Sequence, residues 1–433
     1  MTEAREGRPL FIELDFASEE GRGLQQSVAE RFGSRIVEAA SLAGRMFLLR
    51  SPWAPGLRFV GAETKSSVLS EDGAMRPFSL CGSGETIEEA FVSCVGEGID
   101  RLTLIECPGD VATVASMTQI PDGTRFAAVG ALEQAFADRA LARDTPIAWI
   151  AGRQVNPSAD ANAAREVLFP ADWSLRRSRD EMHLSPLSAL SVGVAAGPTY
   201  EWAASRAILE LIERDAASLW WIGGRRGKVI PLDQPGITDV TMLFVKLRQQ
   251  ATRRVSWLLD ITTDIGIPVV VALSCDLDGR CLSYGLAARL SVDQAARAAI
   301  LELCQTELAI LLAEIKRMEI GDIGLSPADQ LHLQRGASID ANRCALLHPV
   351  GVQHPRSITE TGSELSTILT SLQVARIEVA LMKLTRPEFG IPVVRAVAPE
   401  LQLMPSGFVT DRLRGAIAEF GGGDQHTMGI KLI

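Results

Sequence analysis

The chain has 433 residues, of which 47% are apolar and 22% charged, with a formal net charge of −10. This composition excludes a mainly disordered protein, and the length allows roughly three units of about 150 residues. The acidic balance argues against a surface that coats DNA or RNA, without forbidding a nucleotide at one local site.

In chain order, residues 8–60 alternate short apolar runs (Leu10-Phe11-Ile12, Phe47-Leu48-Leu49) with a helical stretch from Leu24 to Ala40. We read residues 1–55 as an α/β lead-in to one large unit over 56–433. A helix follows the Thr86 cap. Residues 145–200 are expected to be irregular, punctuated by Asn156-Pro157, Phe169-Pro170 and Ser185-Pro186. A second helix follows Thr199. Gly266-Ile267-Pro268-Val269-Val270-Val271 reads as a buried strand, with a near twin at Gly390-Ile391-Pro392-Val393-Val394-Arg395. A third helix follows Ser291. Asp322 to Ser357 is a polar loop region with a short helix, holding His348 and His354. Beyond Gly421-Gly422-Gly423 the tail is expected to be mobile until Met428 to Ile433, which docks.

The cysteines are Cys81, Cys94, Cys107, Cys275, Cys281, Cys304 and Cys344, and none forms a C-x-x-C pair. A disulfide framework and a structural zinc site are therefore not expected, and a reducing compartment is. The N-terminus is charged and lacks the apolar core of a signal peptide, and no apolar run reaches about 18 residues. A cytoplasmic location without a membrane partner follows as the expectation.

The three helices repeat one design. Thr86, Thr199 and Ser291 stand in cap position, with Glu89 and Gln294 three residues on, as a capping box requires. Seven residues beyond Ala90 and Ala203 come Glu97 and Glu210. The first helix continues to Asp100-Arg101 and the second to Glu213-Arg214. The third, weaker copy leads to Glu302 and ends in Gln305-Thr306. Repeats so far apart suggest a pseudo-symmetric domain whose halves each present such a helix, rather than a solenoid.

Positions i, i+3 and i+4 share a helix face, so each acid-acid-Arg triple points one way. A lone E-x-x-E-R is ordinarily a solvated face. Here the acids sit among Val95, Ile99, Ile208, Leu209, Leu211 and Ile212, and buried acids need partners. Two such helices can hold Mg²⁺, which takes oxygen ligands and keeps phosphate or water in its shell. The arginines supply donors for the same phosphates. Glu97, Asp100, Glu210 and Glu213 are the candidate metal ligands. Arg101 and Arg214 are candidates for ATP, with Arg297 and Arg395 as further phosphate candidates. No G-x-x-x-x-G-K-[ST] loop exists. The five histidines show no metal spacing, and no catalytic side chain is assigned.

Gly197-Pro198-Thr199, Ala207-Ile208-Leu209-Glu210-Leu211-Ile212-Glu213-Arg214-Asp215-Ala216 and Leu219-Trp220-Trp221 together resemble the YcaO family, in its cyclodehydratase branch. Ser93-x-x-x-Glu97-x-x-Asp100-Arg101 resembles the family's S-x-x-x-E-x-x-E-R, and this adds Ser93 to the ATP candidates. Gly266-Ile267-Pro268-Val269, Glu302-Leu303-Cys304-Gln305 and Leu384-Thr385-Arg386-Pro387 follow in the right order. The resemblance spans roughly residues 60–405.

It implies an α/β (α+β) fold that is pseudo-symmetric, with mixed sheets and acidic helices around a nucleotide site. It implies ATP and Mg²⁺ as cofactors, and an enzyme that phosphorylates a backbone amide oxygen to form thiazoline or oxazoline rings in a ribosomally made peptide. The implied partners are that precursor peptide, a leader-binding E1-like or similar protein and a flavin dehydrogenase, in a homodimer or hetero-oligomer without nucleic acid. The chain shows no recognisable leader-binding winged helix. Its departures are also specific. Gly82-Ser83-Gly84 lacks the family's lysine, Asp100 replaces a glutamate, and Ala195 replaces a serine. Trp202 stands where most members carry a metal-binding glutamate, and the proline-rich ending of many azoline-forming members is missing. Two other readings are a weakened paralogue serving as a scaffold, and a thioamide-forming enzyme.

Overall fold

The structure is a computed structural model that describes residues 11–69, 75–127, 129–156, 165–186, 188–232, 237–249, 251, 253–353, 358 and 362–432, with only the backbone of 66–69 and 75–77. His354 and Pro157 lie outside the described residues.

The first sheet has the order β1-β2-β3-β4, from β1 (Phe11–Glu13), β2 (Ala43–Leu49), β3 (Arg58–Leu69) and β4 (Met75–Gly84). Between β1 and β2 run α1 (Glu19–Phe32) and α2 (Ser34–Ala39), broken at Gly33, whose φ of 93° suits glycine. The lead-in thus contributes two strands to the sheet that β3 and β4 complete. After β4 comes α3 (Ile87–Leu102).

The second sheet collects β5 (Val111–Ser116), β6 (Pro146–Val155), β7 (Arg165–Pro170) and β8 (Val194–Ala196), with α4 (Val129–Asp138) after β5. The stretch expected to be irregular therefore holds three strands. Pro146 opens β6, where a missing N–H costs no ladder bond, and the run from Ile147 to Ile150 is buried on both faces, which hides the alternation of a half-buried strand. The central helix α5 (Tyr200–Trp221) follows β8.

The third sheet is β12-β11-β10-β9, made of β9 (Lys228–Val229), β10 (Arg254–Asp260), β11 (Val269–Asp276) and β12 (Ser283–Ala288); α6 (Thr238–Arg248) precedes β10 and α7 (Val292–Ile320) follows β12. Then come α8 (Pro327–Ser338) and α9 (Glu364–Val374). The hairpin β13 (Val379–Lys383) and β14 (Val393–Val397) closes the second sheet in the order β5-β6-β13-β14-β8, with β7 on β6. The expected strands at Val269 and Val393 both form, each beginning after its proline. Pro268 and Pro392 lend their carbonyls to the N–H groups of Arg289 and Gly197.

The sheets were expected to be mixed. Every pairing between these strands is antiparallel, and parallel pairing is confined to isolated bridges such as Ile105 with Arg176. Hairpins join β3 to β4, β11 to β12 and β13 to β14, and a hairpin can link only antiparallel strands.

Alternation on the strands sorts the core. In β11, Val269, Val271 and Leu273 face the cluster around α5, while Val270 and Ala272 face that around α7. In β14, Val394 and Ala396 face α5, while Val393 and Val397 face the cluster around α3. So α5 lies between two sheets, and 16 of its 22 residues are buried, including Glu213 and Asp215. The tail is docked rather than mobile after Gly423: α10 (Asp411–Phe420) leads to a turn, α11 (Asp424–Thr427), and Trp221 Nε1 donates to the Ile430 carbonyl at 2.7 Å. Among the described residues no helix is long and apolar enough to cross a membrane.

Candidate functional site

Each of the three expected caps starts its helix. The side chains of Thr86, Thr199 and Ser291 accept the N–H of Glu89, Trp202 and Gln294. The reciprocal bond of a full capping box forms at Glu89; at Gln294 only the Ser291 half is made. The three helices also share a bond that spacing does not reveal. Glu97 accepts the Cys81 N–H at 2.9 Å, Glu210 that of Gly193 at 3.0 Å, and Glu302 that of Leu286 at 2.9 Å. Each glutamate thereby ties its helix to the strand segment that leads into it. The approach is close: a Cβ at Gly82 would lie 2.2 Å from the Cys94 nitrogen, and one at Gly285 2.1 Å from the Ala299 carbonyl oxygen.

Each helix also packs against the strand that leads into another helix: α3 against β8, α5 against β12, and α7 against β4. The pseudo-symmetry therefore joins three strand–cap–helix units in a ring, rather than two halves. At the third position beyond the shared glutamate stand Asp100, Glu213 and Gln305, and Gln305 donates to the Cys81 carbonyl.

The charges of these helices interact. Arg101 pairs with Glu97 at 2.5 Å and lies 5.7 Å from the Phe78 ring centroid. Arg214 lies 3.4 Å from Glu210 and 3.9 Å from Glu213. Burial raises the Asp100 carboxyl well above its usual pKa, and Glu210 and then Glu97 add repulsion. Burial likewise pushes Glu213 up to about 8, with Glu302 and Glu210 adding to it against the pull of Arg214. Glu302 is raised chiefly by burial, with repulsion from Glu210, against the pull of Arg214. For Arg214, burial works against the charge, but Glu213, Glu210 and Glu302 outweigh it and hold the guanidinium protonated.

The sequence candidates divide accordingly. Glu97, Asp100, Arg101, Glu210, Glu213 and Arg214 come together. Arg395 joins them: it is buried on β14, donates to the Trp173 and Leu190 carbonyls, and feels the field of Glu210. Ser93 is exposed one turn before Glu97. Arg297 is half-exposed and pairs with Glu85, which Lys246 also engages. Trp202 is 40% exposed; its ring covers Gly197 and lies under the Arg206 guanidinium, 5.1 Å from the centroid.

Glu302 joins the cluster as a residue not singled out by its sequence pattern, although its signal is present there, seven residues beyond Ala295 in the weaker third copy. Arg289 joins as well: it follows β12, and its charge acts on both Glu213 and Glu302. No spacing rule finds Arg289, because it approaches α5 from another sheet.

Buried orphan atoms test the fit of ATP with Mg²⁺. Asp100 Oδ1, Arg214 Nε, Arg206 Nη1 and Arg395 Nε have no hydrogen-bond partner. The uncompensated Asp100 oxygen suits a hard cation and unengaged guanidinium N–H groups suit phosphate, so the residues fit. No three Asp, Glu, His or Cys side chains among the described residues form a ready cation cluster. Mg²⁺ commonly takes only one or two carboxylates, beside phosphate and water.

Comparison with known proteins gives the class first. The chain has the fold of a heterocyclase solved in complex with substrate and cofactor (TM-score 0.70, 19% identity, 92% of this chain and 55% of that one). It spans about half the length of that protein. It is also similar to YcaO from Methanopyrus kandleri bound with AMPPCP and Mg²⁺ (TM-score 0.59, 19% identity, 87% and 91%) and to the E. coli microcin synthetase McbBCD complex (TM-score 0.60, 16% identity, 82% and 88%). The family model "YcaO cyclodehydratase, ATP- and Mg²⁺-binding" matches residues 81–402. The chain belongs to the YcaO family, whose cofactors are ATP and Mg²⁺.

Proposed function

We propose that the chain is an ATP-dependent cyclodehydratase that forms azoline rings in a ribosomally made peptide, as a cytoplasmic subunit of a synthetase complex. The observation behind this reading is a set of carboxylates from three helices: Glu210, Glu213 and Glu302 act on Arg214, Asp100 faces Glu210, and Arg289 and Arg395 feel the same acids. Burial and mutual repulsion favour the protonated forms of Asp100, Glu213 and Glu302 in the free protein, and a bound cation would favour their charged forms.

In this reading a Cys, Ser or Thr side chain of the peptide attacks the preceding carbonyl. The resulting oxygen takes the γ-phosphoryl group of ATP, and phosphate leaves with that oxygen to give the thiazoline or oxazoline and ADP. When bound, Mg²⁺ neutralises charge on the phosphates. Asp100, Glu210, Glu213 and Glu302 offer oxygens for it. Arg214 and Arg395 present N–H groups to the phosphates, and Arg101 stands at the edge of the site. Glu97, Glu210 and Glu302 also hold the helices in register through their bonds to Cys81, Gly193 and Leu286. The partners proposed are the precursor peptide and a leader-binding E1-like or similar protein, with a flavin dehydrogenase in the complex. The resemblance to the microcin synthetase complex supports partner proteins of this kind.

Trp202 favours a second reading, a scaffold paralogue with a reduced metal site, because an aromatic ring offers no oxygen ligand. Calorimetric titration with ATP–Mg²⁺, together with mass spectrometry of peptide converted by wild type, Glu210→Gln and Glu213→Gln, decides between them. The enzyme reading expects nucleotide binding and loss of one water per ring in wild type, and neither in the variants. Absence of conversion in the wild type with partner present would leave the scaffold.

A further inference from the structure

A groove of about 1590 Å³ opens beside the acidic helices, between the turn at 176–179, the loop at 404–407 and the docked tail. Its lining carries six cationic side chains, Arg101, Arg139, Arg176, Arg177, Arg179 and Lys431, against one carboxylate, Asp424. That balance is unusual in a chain of net charge −10.

Some of these cations are already engaged. Arg101 is paired with Glu97, and Arg177 with Asp172 and Glu106. Arg176 lies over the Phe78 ring at 5.1 Å. Arg139 donates to the neutral Ser185 hydroxyl at 2.9 Å, and no carboxylate among the described residues pairs with Arg139, Arg179 or Lys431. The groove therefore retains an excess of positive charge after its internal pairs are discounted. Arg101 lies both in the groove and on α3, so the cavity leads to the nucleotide site.

We propose that this groove docks a carboxylate-bearing segment of the peptide substrate, an inference that rests on the peptide-modifying reading of the neighbouring site. Arg139, Arg179 and Lys431 pair with Asp or Glu side chains of that segment, while the half-buried Met182, Leu190 and Leu331 contact its aliphatic side chains. A single-stranded nucleic acid would match the charge but not the walls. The one aromatic in the lining is Trp221, which is 2% exposed, so no base finds a stacking platform.

The test is fluorescence anisotropy with three labelled short peptides of alternating Glu and Leu, Gln and Leu, or Lys and Leu, and a labelled oligothymidylate, without nucleotide. The Glu peptide should bind the full chain at least about tenfold more tightly than the others, and rising salt should weaken it, as screening of opposite charges requires. In R139E/R179E/K431E that preference should vanish, while calorimetric ATP–Mg²⁺ binding stays at the wild-type value. R179Q, a change at an exposed side chain, should weaken the Glu peptide in the same direction should the triple variant fail to fold. Equal binding of Glu and Gln peptides, oligothymidylate binding as tight as the Glu peptide, or an unchanged preference in R179Q would overturn the proposal. Failure of ATP binding with the peptide preference intact would instead strike the reading of the nucleotide site.

Discussion

Glu302 accepts the Leu286 N–H at 2.9 Å, repeating on α7 the bond that Glu97 makes to Cys81. A carboxylate that spends one oxygen on a backbone donor has the other left for a ligand. This places α7 in the candidate site with α3 and α5, although its triple lacks the second acid and the arginine.

Glu302→Gln keeps an acceptor for Leu286 and removes the charge that repels Glu213. The apo protein should melt no lower than wild type, and ATP–Mg²⁺ should bind at least about tenfold more weakly, ~1.4 kcal/mol. Differential scanning calorimetry and titration calorimetry on the same samples measure both. A variant that binds nucleotide like the wild type would remove Glu302 from the site.

Glu213 gives the site a pH dependence. With its carboxyl pushed up to about 8 in the free protein, it holds a proton at neutral pH. A metal ligand must release that proton, so ATP–Mg²⁺ affinity should rise from pH 6 toward about pH 8 and then level, with proton release on binding. Titrations in buffers of differing ionisation enthalpy measure the protons. No proton release in the wild type, or an affinity that stays flat from pH 6 to pH 8, would take Glu213 out of the metal shell.

His332 sets an acid limit of a different kind. Burial, then the neighbouring Arg335, lowers its pKa from the usual 6.5 to about 4. The unfolded chain takes up that proton first as pH falls, so stability is present above about 6.5 and is lost progressively toward 4. Denaturant unfolding of His332→Gln should show a shallower loss across this window than wild type. Parallel curves would show that His332 does not contribute.

Asp215 adjoins Arg214 in sequence but serves packing. It is fully buried, accepts the Gln402 N–H at 2.9 Å, and pairs with Arg412 at 2.8 Å. Arg412→Ala leaves that charge without its cation, which should destabilise the chain by about 3 kcal/mol in urea unfolding. Nucleotide affinity of the folded fraction should stay within threefold of wild type, since the pair lies outside the acid cluster.

Trp202→Glu tests the main departure from the family. A glutamate there could reach both Arg206, one turn on, and the Thr199 backbone N–H as the second half of a capping box. We expect melting temperature to change little, because these gains offset the lost cover over Gly197. ATP–Mg²⁺ affinity should stay within threefold; a tenfold gain would favour the scaffold reading.

The sequence by itself determined the local elements. Thr86, Thr199 and Ser291 begin their helices because a side-chain oxygen in cap position satisfies an N–H that the helix leaves open. The prolines at 268 and 392 mark the starts of β11 and β14 for an equally local reason. The equal offsets from Ala90 and Ala203 put each acid and its arginine on one face, since helical pitch alone decides that. The strand that begins at 146 was hidden, because two-sided burial of Ile147 to Ile150 removes the alternation that identifies a strand.

Only the tertiary structure decided how the elements meet. The ring of three units depends on which strand each helix packs against, and no spacing along the chain encodes that choice. Arg289 enters the cluster from the end of another sheet, while Arg297, also an arginine, turns to Glu85. The raised pKa values of Asp100, Glu213 and Glu302 follow from burial between two sheets, a property of packing density. A charge in the sequence is only a formal unit; whether it is screened, paired or held in reserve for a ligand depends on what the fold places around it.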